Sequence, residues 1–283
     1  MSDAGAAVAA VAAASVPGPA GADDEADLER RFGGLRRLYG DAAYLRIRAA
    51  RIAVVGVGGV GSWTAEALAR SGVAALTLID LDQVAESNVN RQVQALGSTL
   101  GQAKVEALRQ RIADIHPGCV VHAVEEFAEP GNWPALLPAP VDAVVDACDQ
   151  GRAKAAIAAW ALATGVPLVT VGAAGGKRSP ERVEVADLAE TTHDPVLAAL
   201  RQRLRKLHGA AKSGPIGIAC IFSRESIVLP PGEREGCDID GSLNCHGYGS
   251  SVGVTATFGL VAATRALESA ALAPSRSGRP APL

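Results

Sequence analysis

Pairs of cysteines separated by two residues are missing from this chain. Its five cysteines (Cys119, Cys148, Cys220, Cys237 and Cys245) stand at irregular spacing. That argues against a structural zinc site and, with an odd count in a long α/β-patterned chain, for reduced thiols and a cytoplasmic address. Aromatic residues make up only 4% of the sequence against 48% hydrophobic residues, so the core has to be built from aliphatic side chains and alanine. Charge of one sign is lacking too. At a formal net charge of −3 the chain is no general polyanion binder, and a nucleic-acid partner would need a local basic patch. No segment reads as a membrane span. The nearest, residues 252–267, is interrupted by glycines and reaches Arg265, which fits a buried helix. Residues 1–27 are rich in alanine but have no basic leader region, with Asp3 where a signal peptide would be positive; they read as a disordered tail.

What is present begins at Arg51. The run to Asp82 is an apolar stretch, a glycine turn, an amphipathic helix pattern, a second apolar stretch and an acidic end. Gly56, Gly58 and Gly61 have the G-x-G-x-x-G spacing directly after a strand pattern, and Gly59 adds a fourth glycine. Such a turn lets backbone approach phosphate oxygens while the next helix presents its unpaired N–H groups. Asp80 closes the second strand, where an acid accepts hydrogen bonds from a ribose. Strand-length runs at 52–55, 76–80, 120–124, 143–147 and 167–171 alternate with helical patterns at 62–71, 101–115 and 154–163. This alternation predicts an α/β fold, a doubly wound, Rossmann-like and mostly parallel sheet. Beyond Lys177 the pattern changes to an α+β extension: strands at 182–186, 218–222 and 226–229, a helix at 194–207, a loop at 230–251 and a last helix. The expected organisation is an ATP-binding region over 28–180, a substrate-binding extension over 181–272 packed on the same domain, and a flexible tail over 273–283.

Glycines and an aspartate alone are commonest in nicotinamide dehydrogenases. The residues after Asp80 point elsewhere. Asn88, Asn90, Arg91 and Gln92 form a dense polar cluster, and Lys104 follows shortly after Gly101. A triphosphate carries more charge than a pyrophosphate bridge, and its α-phosphorus is made electrophilic by arginine, lysine and a metal. Arg91 and Lys104 supply that positive charge, and Asp149 is placed to hold Mg²⁺, with Asp146 as a second candidate.

With this set the chain resembles the adenylating enzymes related to ubiquitin-activating enzymes, including MoeB and ThiF. The resemblance is carried by Gly56-Val57-Gly58-Gly59-Val60-Gly61, Asp80-Leu81-Asp82, Asn88-Val89-Asn90-Arg91-Gln92, Gly101-Gln102-Ala103-Lys104 and Asp146-Ala147-Cys148-Asp149. It implies ribose binding at Asp80, phosphate contacts at Asn88, Arg91 and Lys104, and metal binding at Asp149. It also implies a homodimer in which an arginine of the N-terminal helix, here Arg31, crosses to the partner's phosphates. The zinc-binding cysteine pairs of MoeB and ThiF are absent, and the chain looks like the branch of tRNA threonylcarbamoyladenosine dehydratases instead. Arg31-Phe32-Gly33-Gly34, Ala186-Asp187-Leu188, Asp194-Pro195, Cys220-Ile221-Phe222-Ser223 and Val254-Thr255-Ala256-Thr257-Phe258-Gly259 carry that second resemblance.

What the branch implies is ATP-dependent ring closure. The free carboxylate of a threonylcarbamoyl group on a tRNA adenosine is adenylated, and the neighbouring carbamoyl group then displaces AMP. The basic run Arg201, Arg203, Arg205, Lys206 and Lys212, with Lys177 and Arg178, is the expected tRNA surface. Cys245 and, less directly, Cys220 are thiols that could accept an acyl group or a persulfide. The reading also admits a monovalent cation in a glycine loop and a cysteine desulfurase or sulfur-acceptor partner. Two alternatives stay open at this point: adenylation of a sulfur-carrier protein with a Gly-Gly tail, and a nicotinamide-binding redox or sensor protein.

Overall fold

The computed structural model describes residues 24–227 and 248–272. Among these, seven strands form one sheet: β1 (Arg51–Val55), β2 (Ala75–Ile79), β3 (Val120–Val124), β4 (Ala143–Asp146), β5 (Leu168–Val171), β6 (Val183–Asp187) and β7 (Ala219–Ser223). Their order is β3-β2-β1-β4-β5-β7-β6. All neighbours run parallel except β6, which pairs antiparallel with β7. The expected doubly wound sheet is therefore present, and the segment beyond Lys177 extends it through β7 and β6. Ser226 and Ile227, expected to open a further strand, have no strand structure.

The helices are α1 (Asp24–Tyr39), α2 (Asp41–Ala49), α3 (Gly61–Arg70), α4 (Lys104–Ile115), α5 (Gly151–Thr164), α6 (Pro195–Leu207) and α7 (Val252–Leu272). Both sheet faces are covered because the central strands are apolar at most positions, so that alternate side chains enter opposite cores. Ile52 and Val54 join the cluster holding Ile47 of α2, Leu68 of α3, Leu108 of α4 and Phe258 of α7. Ala53 and Val55 join the cluster holding Ile157 of α5 and Leu197, Leu200 and Leu204 of α6. The long last helix buries Val254, Phe258, Ala262, Ala266 and Ala270 at four-residue spacing, a single apolar stripe. Its opposite side, with Leu260, is exposed, so α7 is half-buried rather than enclosed. No helix among the described residues is long and apolar enough to cross a membrane.

Strand order reverses between β1 and β4, where a crevice opens outside the carboxyl ends of the strands and ligands of such sheets bind. Gly56 ends β1 with φ +79°, a left-handed conformation natural to glycine. A Cβ on Gly56 would lie 2.8 Å from the Cys148 backbone, and one on Gly61 would run into the Gly56 carbonyl oxygen. These two positions therefore admit only glycine.

On the other side of the crevice, Asp194 caps α6. Its Oδ1 accepts from the N–H groups of Val196 and Leu197, each at 3.0 Å, and its Oδ2 accepts from the Ala173 N–H at 2.8 Å. One buried carboxylate thus fastens the glycine-rich turn after β5 to the helix that walls the cleft. Asp194→Ala is expected to cost about 2 kcal/mol, the loss of a cap plus an unsatisfied buried amide. Urea denaturation followed by circular dichroism would check this, and an unchanged midpoint would contradict it.

Candidate functional site

A cleft of about 1220 Å³ runs along the carboxyl ends of β1, β4 and β5. Gly56, Gly58, Gly59, Asp80, Asp82, Asn88, Arg91, Gln92, Lys104 and Asp149 all line it. Residues spread over 94 positions of sequence are thereby brought to one place (Gly56 to Asp149).

Asp80 is buried at the end of β2. Its Oδ2 accepts from the Val57 N–H at 2.7 Å and its Oδ1 from the Asp82 N–H at 2.9 Å. Burial raises its pKa, while Lys104 and the two amides pull it down. Asp80 therefore holds the glycine turn against β2 as well as facing the cleft. Lys104 begins α4 and is itself buried; its Nζ donates to Asp82 Oδ2 at 2.6 Å. Asp82 is half exposed, so an incoming phosphate can share the ammonium, which has three protons to give. Arg91 is half-buried and donates to the Ser87 carbonyl at 2.6 Å and to Asn90 Oδ1 at 2.9 Å. Its own carbonyl accepts from the Trp63 indole at 3.0 Å, which ties the Asn88–Gln92 segment to α3. Asn88 accepts from the Ala85 N–H at 3.0 Å, and Asn90 donates to the Ser250 carbonyl at 2.9 Å. Gln92 accepts from Gln94, whose amide also donates to the Val57 carbonyl at 3.0 Å.

The two acids after β4 separate sharply. Asp146 is fully buried and saturated. Lys154 Nζ donates to its Oδ2 at 3.0 Å and the Thr170 hydroxyl donates to the same oxygen at 2.7 Å. The Cys148 N–H and thiol both donate to Oδ1, at 3.2 and 3.0 Å. Asp146, the second metal candidate, is thus the counter-ion of a buried lysine. Asp149 is half-buried on the cleft wall and makes no hydrogen bond or ion pair among the described residues. Lys154 was missed in the sequence because it sits in an alanine-rich helix where lysines normally reach solvent. An acid buried at the end of a central strand needs a partner, and that requirement is the only sequence clue to it.

A family model described as ThiF matches residues 31–277. The chain belongs to the ThiF family. This ThiF-family chain is 43% identical over 258 residues to the tRNA threonylcarbamoyladenosine dehydratase of Escherichia coli strain K12, covering 88% of this chain and 96% of that protein. It is 39% identical over 243 residues to the enzyme of the same name from Haemophilus influenzae, covering 85% and 93%. The solved structure of the E. coli tRNA N6-threonylcarbamoyladenosine dehydratase in complex with ATP matches at a TM-score of 0.78 and 42% identity, covering 88% of this chain and 97% of that one. Its complex with AMP matches at 0.78 as well, covering 89% and 98%.

The remaining expected residues of this ThiF-family chain divide by environment. Lys177 is not on a surface. Its ammonium is buried between the carbonyl oxygens of Ser223, at 3.2 Å, and Glu225, at 2.7 Å, and burial lowers its pKa. The expectation that it meets RNA is corrected, because two carbonyls already hold it away from solvent. Arg201 is likewise engaged, donating to the carbonyls of Leu188 and Thr191 and to the Thr191 hydroxyl. Arg205 donates to the Ala211 carbonyl at 3.0 Å. Arg178, Lys206 and Lys212 are exposed, and Arg203 and Lys206 line the cleft. Arg31 donates to the Ile115 carbonyl at 2.9 Å, at the carboxyl end of α4. That end lies roughly 16 Å along the helix from Lys104. Cys245 lies outside the described residues. Cys220 is buried behind β5, away from the cleft lining. Among the described residues no group of three or more His, Cys, Asp or Glu side chains is gathered to hold a metal.

Two outcomes follow from these environments. Lys154→Met removes one member of a buried pair and leaves Asp146 uncompensated, so it should destabilise the chain by about 3–5 kcal/mol. Calorimetry would check this, and a loss under about 1 kcal/mol would mean the pair is not sealed from water. Burial pushes the Cys119 thiol up to about 11 and raises those of Cys148 and Cys220 further. At pH 8 these three should react with iodoacetamide at least about tenfold more slowly in the folded than in the unfolded chain, because the thiolate is the nucleophile. Peptide mapping by mass spectrometry reads the result.

Proposed function

We propose that this chain is an ATP-dependent, AMP-forming enzyme that cyclises the threonylcarbamoyl group of an adenosine beside a tRNA anticodon. The observation that carries the reading is the convergence of the glycine turn, Asp80, Arg91, Lys104 and Asp149 on one cleft. The curated relatives of that name, matched over nearly their whole length, supply the substrate.

The chemistry follows from the cleft. Amides of the glycine turn and the amino end of α3 receive the phosphates, and Asp80 receives the ribose hydroxyls. Arg91 and Lys104 draw charge from the phosphate oxygens and leave the α-phosphorus open to attack. The substrate carboxylate oxygen bonds to that phosphorus as the bond to the β-phosphate oxygen breaks and pyrophosphate leaves. The carbamoyl group then attacks the activated carbonyl carbon, AMP departs with the carboxylate oxygen, and the ring closes. A reacting group held within the same molecule gains an effective molarity of about 10⁵ M or more.

A single half-buried carboxylate beside a phosphate site fits Mg²⁺, which typically takes one or two protein carboxylates plus phosphate and water oxygens. Asp149 would hold it, and the ion would neutralise charge on the departing pyrophosphate. A homodimer belongs to the same proposal: Arg31 lies far from its own cleft, so any phosphate it meets is bound to a partner subunit.

Pyrophosphate release tests the reading. It should depend on tRNA carrying threonylcarbamoyladenosine, with neither unmodified tRNA nor a Gly-Gly-ended carrier protein supporting it. Arg91→Ala and Asp149→Asn should each lower kcat by about 100-fold or more. Release driven by the carrier protein would assign the chain to the sulfur-carrier reaction instead.

A further inference from the structure

The cleft is larger than the roughly 300–1,000 Å³ that one small ligand occupies. Beyond the residues already described, it is lined by Arg152 at the amino end of α5 and by Gln202, Arg203 and Lys206 of α6. The basic run of α6 divides between two sides of the helix. Arg201 and Arg205, four residues apart, share one side and spend their guanidinium groups on the backbone carbonyls of Leu188, Thr191 and Ala211. Arg203 and Lys206, three residues apart, share the side that faces the cleft. Arg203 NH1 reaches the Gly151 carbonyl at 3.3 Å, which brings α6 against the amino end of α5 beside Arg152. Among the described residues none of the three is paired with an acid in a salt bridge.

We propose that Arg152, Arg203 and Lys206 form a phosphodiester-binding track that seats the RNA strand flanking the reacting nucleoside. This rests on the tRNA reading above and assigns it a place. Three cations that form no ion pair among the described residues line one cleft, and they concentrate positive charge there on a chain that is negative overall. Because the strip continues the cavity that holds Arg91 and Lys104, RNA bound on it delivers its nucleoside to the phosphate end of the same cleft. Arg201, Arg205 and Lys177 stand outside the track because none of them lines the cleft.

The test uses the full chain with ATP, and tRNA carrying the threonylcarbamoyl group. Arg152→Glu, Arg203→Glu and Lys206→Glu should each weaken tRNA binding by about tenfold, and the triple variant should flatten the salt dependence by about one unit of log–log slope per lost phosphate contact. ATP affinity should stay within about twofold, because the phosphates of ATP are assigned to the glycine turn, Arg91 and Lys104 and not to these side chains. Arg109→Glu, an equal charge change on the exposed side of α4, should leave both unchanged. Arg152→Gln, Arg203→Gln and Lys206→Gln keep the test valid if a reversal variant fails to fold, with a smaller loss in the same direction. Unchanged tRNA binding in the folded triple variant overturns the track. So does a loss of ATP binding with tRNA binding intact, which would make these side chains part of the nucleotide site. If the wild-type chain neither binds nor cyclises the modified tRNA, the reading of the reaction fails first, and the track with it.

Discussion

Two stretches of backbone touch where β1 and β4 end, and the cleft exists because they do. The turn at Gly56 lies so close to Cys148 that a methyl group there would overlap main-chain atoms, and Gly61 packs equally tightly on Gly56. This contact sets the spacing between the amino end of α3, the proposed phosphate site, and the segment that carries Asp149. A side chain at either glycine would force the two strand ends apart and separate Asp149 from Arg91 and Lys104. Asp80 completes the arrangement from β2 by accepting the Val57 amide. Each of its oxygens takes one internal hydrogen bond, and a carboxylate oxygen has a second lone pair to offer a hydroxyl.

The two lysines at the cleft show how one residue type serves two purposes by exposure alone. Lys104 is paired with an acid that is half open to water, and such pairs contribute about 0–1 kcal/mol, so a phosphate can compete for the ammonium. Lys154 is paired with Asp146 where neither touches solvent, and Thr170 and Cys148 fill the remaining acceptor positions. Nothing can enter there without stranding a charge. The sealed pair holds the Cys148 amide in place, and through it the turn that presents Asp149. One lysine is therefore free to exchange partners, while the other fixes the wall behind it.

The glycine turn, Asp80 at the end of β2 and the Asn88–Lys104 cluster were legible in the sequence as one group lining a cleft, because closely spaced residue types mark them. Strand positions were legible for a related reason: central strands covered on both faces read as unbroken apolar runs, and β1, β2 and β4 match their expected spans to within one residue at either end. The start of α4 was less so. The helical pattern extends back to Gly101, but the helix begins at Lys104, because Gly101 and Gln102 exchange backbone hydrogen bonds with Val84 and the Lys104 N–H donates to the Asp82 carbonyl. The roles of Lys154, Arg201 and Lys177 were not legible. Composition shows a positive charge, whereas only the packing shows whether a carboxylate, a carbonyl or water receives it. The same limit explains why the basic run read as one surface: a helix sorts neighbours in sequence onto different sides.

This sorting bears on how a chain of net charge −3 can hold a polyanion. Affinity for phosphodiesters depends on the cations that reach the strand and the counterions they release, not on the total charge. Arg36, Arg109 and Arg265 each pair with a glutamate within 3.0 Å, and Arg70 and Arg111 share Glu66. Among the described residues Arg152, Arg203 and Lys206 have no such partner. Cations left unpaired along the cleft favour a nucleic acid there over the paired parts of the surface. Adenylation then has a reason to wait for substrate, because the strip that seats the RNA opens into the same cavity as the phosphates.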